Sequence, residues 1–285
     1  MDSPRFETRA RFEALRGERE FEWSGPGIWT CGSLEPLEAP CVAVVGTRAA
    51  SAYGKRVARS LSRELSHAGC TIVSGLALGI DASAHEGALD GNGPTVGVLG
   101  GGHHRFFPPS NRPLAARMLA NGAVLSSYPP DHLAHPHQFL QRNGLVAALS
   151  DAVVVVEAPQ RSGALNTAGW AAGRIPVFVV PGDVDRAGFA GSHALLRDGA
   201  TLARNAADIL EALRLQPLPS TAAPETRTGA AGALLRALDL GERSLDDLIE
   251  STAEPAHLVL AQLALLELDG IVECRGPERY ARLLH

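Results

Sequence analysis

The chain has 285 residues, 45% hydrophobic and 20% charged, with a formal net charge of −5. That length suits one large domain plus a small one, and no apolar run reaches the roughly 18 residues that a membrane helix needs. The net charge excludes a protein that coats nucleic acid by bulk positive charge, although it leaves room for local patches.

From Glu225 onward there are six arginines and eleven acidic residues, so this segment carries the whole net −5 and the rest of the chain balances to zero. Lys55 is the only lysine, so arginine does nearly all the cationic work. Its planar fork suits phosphate contacts and base stacking. Cys31, Cys41, Cys70 and Cys274 show no metal spacing and follow no secretory signal. A reducing, cytoplasmic setting is the expectation.

Residues 1–22 are charged and mixed in sign, and they predict a short exposed helix or an unstructured stretch within an N-terminal extension over 1–27. A large domain is expected over 28–214. Its apolar runs Val42–Val45, Thr71–Val73, Thr95–Leu99, Ala123–Leu125, Ala152–Val156 and Val177–Val180 read as buried parallel strands. Helical stretches lie between them: Lys55–Ala68 with Gly69 as its cap, Asp81–Leu89, Leu114–Ala120, Phe139–Leu149, Gly163–Ala172 and His193–Arg197. This alternation predicts an α/β fold, a Rossmann-like doubly wound and mostly parallel sheet. Residues 215–228 (LQPLPSTAAPETRT) read as a linker. Over 229–285, helices at Gly232–Leu238, Ser244–Glu250 and Pro255–Leu268 precede a hairpin, Ile271–Arg275 and Tyr280–Leu283 about a Gly276-Pro277 turn, which is a small C-terminal winged-helix domain.

Ligands of doubly wound sheets bind beyond the carboxyl ends of the strands. The loops there are rich in small residues: Gly46-Thr47-Arg48, Ser74-Gly75 through Gly79, Gly100–Gly102, and Ser162-Gly163. Small residues let backbone N–H groups approach an anion, and helix N-termini add partial positive charge. Arg48 stands where a phosphate would arrive. No GxGxxG or GxxxxGK[ST] fingerprint is present, which argues against a dinucleotide dehydrogenase and a P-loop ATPase. The segment His135–Asn143 combines imidazoles, an aromatic, a cation and an amide. Phe139 suits base stacking, Arg142 a phosphate or a carboxylate, and Asn143 capping or pairing. The plainer alternative puts Phe139 in the core and pairs Arg142 with Asp151 or Glu157. His132, His135 and His137 fit no ordinary zinc spacing. Asp81 and His85, one helical turn apart, read either as an acid–base pair or as a cap and a satisfied imidazole.

Together the stretches Val42–Arg48, Ser51–Gly54, Ile72–His85, Phe139–Ser150, Val155–Ala168, Gly173–Gly182 and Gly191–Ala200 resemble the DNA-processing protein A family, also called Smf. The resemblance covers roughly residues 28–210, and the C-terminal segment looks like the winged helix of many members. It implies a non-catalytic protein without a cofactor or metal, which binds single-stranded DNA in a basic pocket and forms a homodimer. It also implies loading of the recombinase RecA in natural transformation or repair, with single-strand-binding protein as a further partner. The family's pocket arginine falls on Arg48. Its surrounding residues fall on Gly46, Thr47, Ser74, Gly75, Phe139, Arg142, Asn143, Ser162 and Gly163, with His135 or His137 as a stand-in for a basic residue before Phe139.

The chain departs from the family pattern at several positions: Thr47 for Ser, Leu140 for Pro, Gly144 for Arg, Ser127 for Glu and His193 for Asn. The missing cation at 144 predicts a weaker grip on phosphate at neutral pH, strengthened as imidazoles protonate. Two other functions are weighed. A nucleotide phosphoribohydrolase of similar fold would carry a PGGxGTxxE loop, which Glu157–Thr167 lacks. A winged-helix transcription regulator would need a cationic third helix, and residues 254–269 contain no Arg or Lys.

Overall fold

A computed structural model describes residues 3–17, 26–215, 230–239, 241–268, 271–276 and 279–282. It separates into two compact units that divide between Pro219 and Ser220. Apart from Leu215, the expected linker lies outside the described residues, as do Pro277 and Leu283 of the expected hairpin.

In the first unit the order is β1 (Arg5–Thr8), α1 (Arg9–Arg16), β2 (Gly27–Gly32), β3 (Cys41–Val45), α2 (Ala52–His67), β4 (Thr71–Ser74), α3 (Ile80–Asp90), β5 (Thr95–Leu99), α4 (Arg112–Met118) and β6 (Ala123–Ser126). There follow α5 (Pro136–Ala148), β7 (Ala152–Val155), α6 (Gly163–Ala171), β8 (Val177–Val179), α7 (Ala190–Arg197), β9 (Thr201–Leu202) and α8 (Ala206–Ala212). They build a nine-stranded sheet in the order β1-β2-β6-β5-β4-β3-β7-β8-β9. From β6 to β9 every neighbour is parallel, while β1 and β2 close one edge antiparallel. The α/β, mostly parallel architecture expected from the sequence is the one found.

The valine-rich strands are buried on both faces, as parallel strands must be. Ala43, Val45, Val98, Val153 and Val155 pack on one side with Leu145, Leu149 and Ala168. Val42, Val44, Ile72 and Val154 pack on the other with Leu61, Leu65, Ile80 and Ile209. Helix α2 starts at Ser51, whose Oγ accepts the Gly54 N–H at 3.0 Å. It ends before Gly69, whose φ of +85° supplies the left-handed turn. Strand order reverses between β3 and β7, so a crevice opens between the loops that follow them.

The N-terminal residues differ from the expectation. Strand β1 pairs with β2, Phe6 meets Trp29 edge-on at 5.3 Å, and Phe12 of α1 is buried. Arg16 pins the segment. Its guanidinium lies 2.6 Å from Asp151 Oδ2 and donates to the Leu37 and Ala39 carbonyls at 2.8 and 3.1 Å. The same Asp151 oxygen accepts the Cys41 N–H at 2.8 Å, at the start of β3.

The second unit contains α9 (Ala230–Asp239), β10 (Arg243–Ser244), α10 (Leu245–Thr252), α11 (Ala256–Leu268), β11 (Val272–Cys274) and β12 (Arg279–Arg282). A three-stranded sheet, β10-β12-β11, accompanies the helices, which is the winged-helix pattern. Ser244 and Asp247 form a capping box on α10. Leu234, Leu238, Leu248, Val259, Leu263 and Leu266 form the core. Leu258, Leu260 and Leu265 remain exposed on α11. Cys31, Cys41 and Cys70 are buried and Cys274 is exposed. Among the described residues no helix is long and apolar enough to cross a membrane.

Replacing Arg16 with Met removes one side of a largely buried ion pair. The expected cost is about 3 kcal/mol, the low end for such pairs because Asp151 keeps some solvent contact. Urea unfolding of the full chain, followed through the first unit's transition, measures it. A loss of a few tenths would show that the pin contributes nothing to the sheet.

Candidate functional site

Glu157, just after β7, organises the crevice. It is buried, and its Oε2 accepts the Ser51 N–H at 3.0 Å and the Ser51 hydroxyl at 2.8 Å. Its backbone carbonyl accepts the Thr47 N–H at 2.7 Å. The loop after β3 is thereby closed onto the loop after β7, with Arg48 exposed at its tip. The Arg48 guanidinium lies over the Phe139 ring, 5.4 Å from its centroid. This is cation–π range. Among the described residues Arg48 forms no ion pair with a carboxylate.

The loop after β4 lies beneath. Ser74 Oγ donates to the Val44 carbonyl at 2.7 Å, inside the sheet. Asp81 Oδ2 accepts the Gly75 and Ala77 N–H groups at 3.1 and 3.3 Å. Gly79 has φ +80°, and a side chain there would strike the backbone of Thr47 and Arg48, so only glycine serves. Arg142 reaches in from α5, 6% exposed, and donates to the Gly75 carbonyl and to the Val98 carbonyl, the latter at 2.5 Å. A side chain at Gly75 would collide with this guanidinium. Burial lowers the Arg142 pKa to about 10, Asp81 opposes the fall and Arg48 adds to it, so the group stays charged at neutral pH. Burial raises the Asp81 pKa, against the pull of Arg142 and the two N–H groups.

The loop after β5 and the segment before α5 complete the site. Phe139 is half-buried and packs against Gly100, where a Cβ would come within 2.7 Å of the ring. The glycine run is thus a packing requirement. His137 is exposed and stacks on His135 with centroids 6.1 Å apart. Asn143 Nδ2 donates to the Gly163 carbonyl at 3.1 Å and to Asn166 Oδ1 at 3.3 Å, and Ser162 caps α6 through the Ala164 N–H at 3.2 Å.

Gly46, Thr47, Arg48, Ser74, Gly75, Phe139, Arg142, Asn143, Ser162 and Gly163 therefore gather at one sheet edge, in two layers. Arg48, Phe139 and Thr47 lie towards the surface. Ser74 and Arg142 face inward, with the Ser74 hydroxyl and Arg142 Nη1 committed to backbone carbonyls and Arg142 Nε buried without a partner among the described residues, so neither points at an incoming phosphate. The alternative pairing of Arg142 with Asp151 or Glu157 is not found, since those carboxylates serve Arg16 and Ser51. Asp81 and His85 are not an acid–base pair either. His85 Nδ1 bonds Thr95 Oγ1 at 2.7 Å, deep under the sheet. Gly144 faces the Trp170 ring of α6, 3.2 Å from a built Cβ, and so lies at a helix–helix contact. Glycine there serves close packing, and its lack of charge says little about the tip at Arg48. Sequence reasoning overlooked Glu157 as the tie between loops and Phe107 as an exposed aromatic beside Phe139. The Phe106-Phe107 pair downstream of the Gly100–Gly102 loop was the available signal for Phe107.

A model of the DNA recombination-mediator protein A family matches residues 18–214, and one of the DprA winged-helix domain matches 216–276. A DprA-type DNA processing protein of Mycobacterium tuberculosis is 41% identical over 261 residues, covering 87% of this chain, and the chain spans 66% of that relative's length. Protein Smf of Escherichia coli is 37% identical over 271 residues, covering 90% of this chain and 72% of its own. Among solved structures, DprA of Streptococcus pneumoniae aligns with a TM-score of 0.63 at 36% identity, covering 66% of each chain. DprA of Helicobacter pylori, whose structure is described by its single-stranded DNA binding mode, aligns with a TM-score of 0.63 at 31% identity, covering 74% of this chain and 95% of its own.

The buried imidazole under the site sets an acid limit. Burial first, and the Arg142 charge second, lower the His85 pKa to about 3. In the unfolded chain the value returns to about 6.5, so the unfolded state takes the proton first. The stabilisation is complete above about pH 6.5 and is lost as pH falls towards the folded value, by about 1.4 kcal/mol per pH unit. Urea midpoints between pH 7.5 and 4.5 should fall, and His85→Gln should flatten that slope. An equal slope in the variant would place the acid sensitivity elsewhere.

Proposed function

Because the chain belongs to the DNA recombination-mediator protein A family, we propose that it binds single-stranded DNA at the carboxyl edge of its parallel sheet and hands that DNA to the recombinase RecA. The observation that carries this reading is the exposed Arg48 guanidinium resting on Phe139 at the point where strand order reverses. A cation without a carboxylate partner among the described residues suits a phosphate, and an aromatic beside it suits an unpaired base. Thr47 and His137 flank the contact, and exposed Arg161 stands on the loop after β7 at the same edge. Gly46, Ser74, Gly75, Arg142, Asn143, Ser162 and Gly163 act through the backbone, by shaping and stiffening the loops. The H. pylori relative lends support through its single-stranded DNA binding.

Binding without chemistry fits the site's carboxylates. Glu157 and Asp81 are buried and spend oxygens on loop N–H and hydroxyl groups, which leaves neither aimed outward to stabilise a ribosyl cation. Homodimer formation, work in the cytoplasm and contact with single-strand-binding protein belong to the same reading. The second unit is proposed as a protein-docking module. Its α11 exposes Leu258, Leu260 and Leu265, and residues 245–268 contain no Lys or Arg to meet duplex phosphates.

Anisotropy of labelled single- and double-stranded oligonucleotides, across a salt series, tests both assignments. Affinity for the single strand should fall by about 0.7 log units per decade of salt for each phosphate neutralised. Arg48→Ala should weaken single-strand binding roughly 10- to 100-fold, as expected for loss of a charged hydrogen bond. Unchanged affinity in that variant would remove Arg48 from the contact. The same variant should bind duplex no better than background, and strong residual duplex binding would assign DNA reading to the second unit.

A further inference from the structure

Beyond Phe139, on the side away from the β3 loop, the surface opens into a cleft of about 370 Å³. Phe107, Leu133, Pro136 and Phe139 supply its apolar lining, and His104 and Arg105 add an imidazole and a guanidinium. Phe107 is 54% exposed and Leu133 65%, and together they leave an apolar patch uncovered beside a charged edge. The Phe107 and Phe139 rings meet edge-on, with centroids 6.0 Å apart and planes at 62°.

The cleft is stiff. The Gly102 N–H donates to the His132 carbonyl and the His104 N–H to the Pro130 carbonyl, both at 2.9 Å. Asn111 Nδ2 donates to the Leu76 and Ala77 carbonyls at 3.0 Å, which ties the Phe107 loop to the loop after β4. Gly101 approaches Ala134 so closely that a Cβ would lie 2.8 Å away. These contacts hold the two walls apart at a fixed spacing.

We infer that this cleft is a second nucleobase subsite, which takes the base next to the one at Phe139 between Phe107 and Leu133, with Arg105 on its phosphate. The inference rests on the reading of the sheet edge as a single-strand site. The volume falls at the small end of ligand pockets, about 300–1,000 Å³, so it suits one planar ring system. A base in a duplex is stacked and paired and cannot enter, so the subsite adds selectivity for single strands. His104 is held by Asp131 at 3.0 Å, so Arg105 is the cation available for the backbone. Continuity with Arg48 through Phe139 places the two subsites on one strand path.

The test is a binding cycle with the full chain and two labelled probes of equal length, oligothymidylate and a base-free abasic strand. Phe107→Ala should weaken oligothymidylate binding roughly 5- to 150-fold, the range for loss of one stacked base, and leave abasic-strand affinity unchanged. Leu133→Ala should act in the same direction, and Arg105→Ala should weaken both probes. Because both apolar residues are largely exposed, these variants keep the fold. Unchanged oligothymidylate binding in Phe107→Ala, while Arg48→Ala still loses affinity, overturns the subsite and spares the broader reading. Equal losses on both probes also overturn it, since the contact would not be with a base. Failure of the wild type to bind either strand overturns both.

Discussion

A single buried positive charge ties the site together. Arg142 lies under the carboxyl edge of the sheet and binds the carbonyl of Gly75 on one loop and that of Val98 in β5. Asp81 answers its charge and holds the N–H groups of the same loop. A guanidinium in this position is costly to bury and demands acceptors, which Nη1 finds in the two carbonyls while Nε has no partner among the described residues. That demand fixes where α5 sits. Phe139 is one helical turn before Arg142, so the ring that Arg48 covers is positioned by a charge that never reaches the surface.

Charges at this edge divide by depth. Arg142, Asp81 and Glu157 are buried and join loops to one another. Arg48, Arg105 and Arg161 are exposed and face solvent, as do the His137 imidazole and the Asp131 carboxylate that pairs with His104. Around Phe139 the outer arginines meet an aromatic surface. Glu157 shows why the buried set matters. By holding Ser51 it starts α2 and sets the height of the Thr47-Arg48 tip.

Most of the sheet was legible because its strands bury both faces and so appear as unbroken valine-rich runs. Strands β1, β2 and β9 were not. β1 and β9 lie at the sheet edges, where one side meets solvent, and β2 is the antiparallel strand between β1 and β6. Arg5 and Glu7 interrupt β1, glycines bracket β2, and β9 has only two residues. Helix α8, also unforeseen, is seven residues long and begins at an Asn205 cap. At the site, the converging residues were identifiable from glycine and serine spacing after each strand. Their depth was not. Whether an arginine points out or in depends on which carbonyls the fold leaves unpaired, and no local pattern around Arg142 encodes the Gly75 and Val98 carbonyls that receive it. Gly144 and Gly100 show the converse, since each glycine is explained by a distant ring.

The cysteines offer a practical consequence. Cys31, Cys41 and Cys70 are sealed inside the first unit, and Cys274 stands exposed on β11 of the second. A thiol-reactive dye will therefore mark the native chain at one known place, without mutagenesis. Paired with a dye on an oligonucleotide, that mark turns the distance from the winged helix to a bound strand into a fluorescence signal.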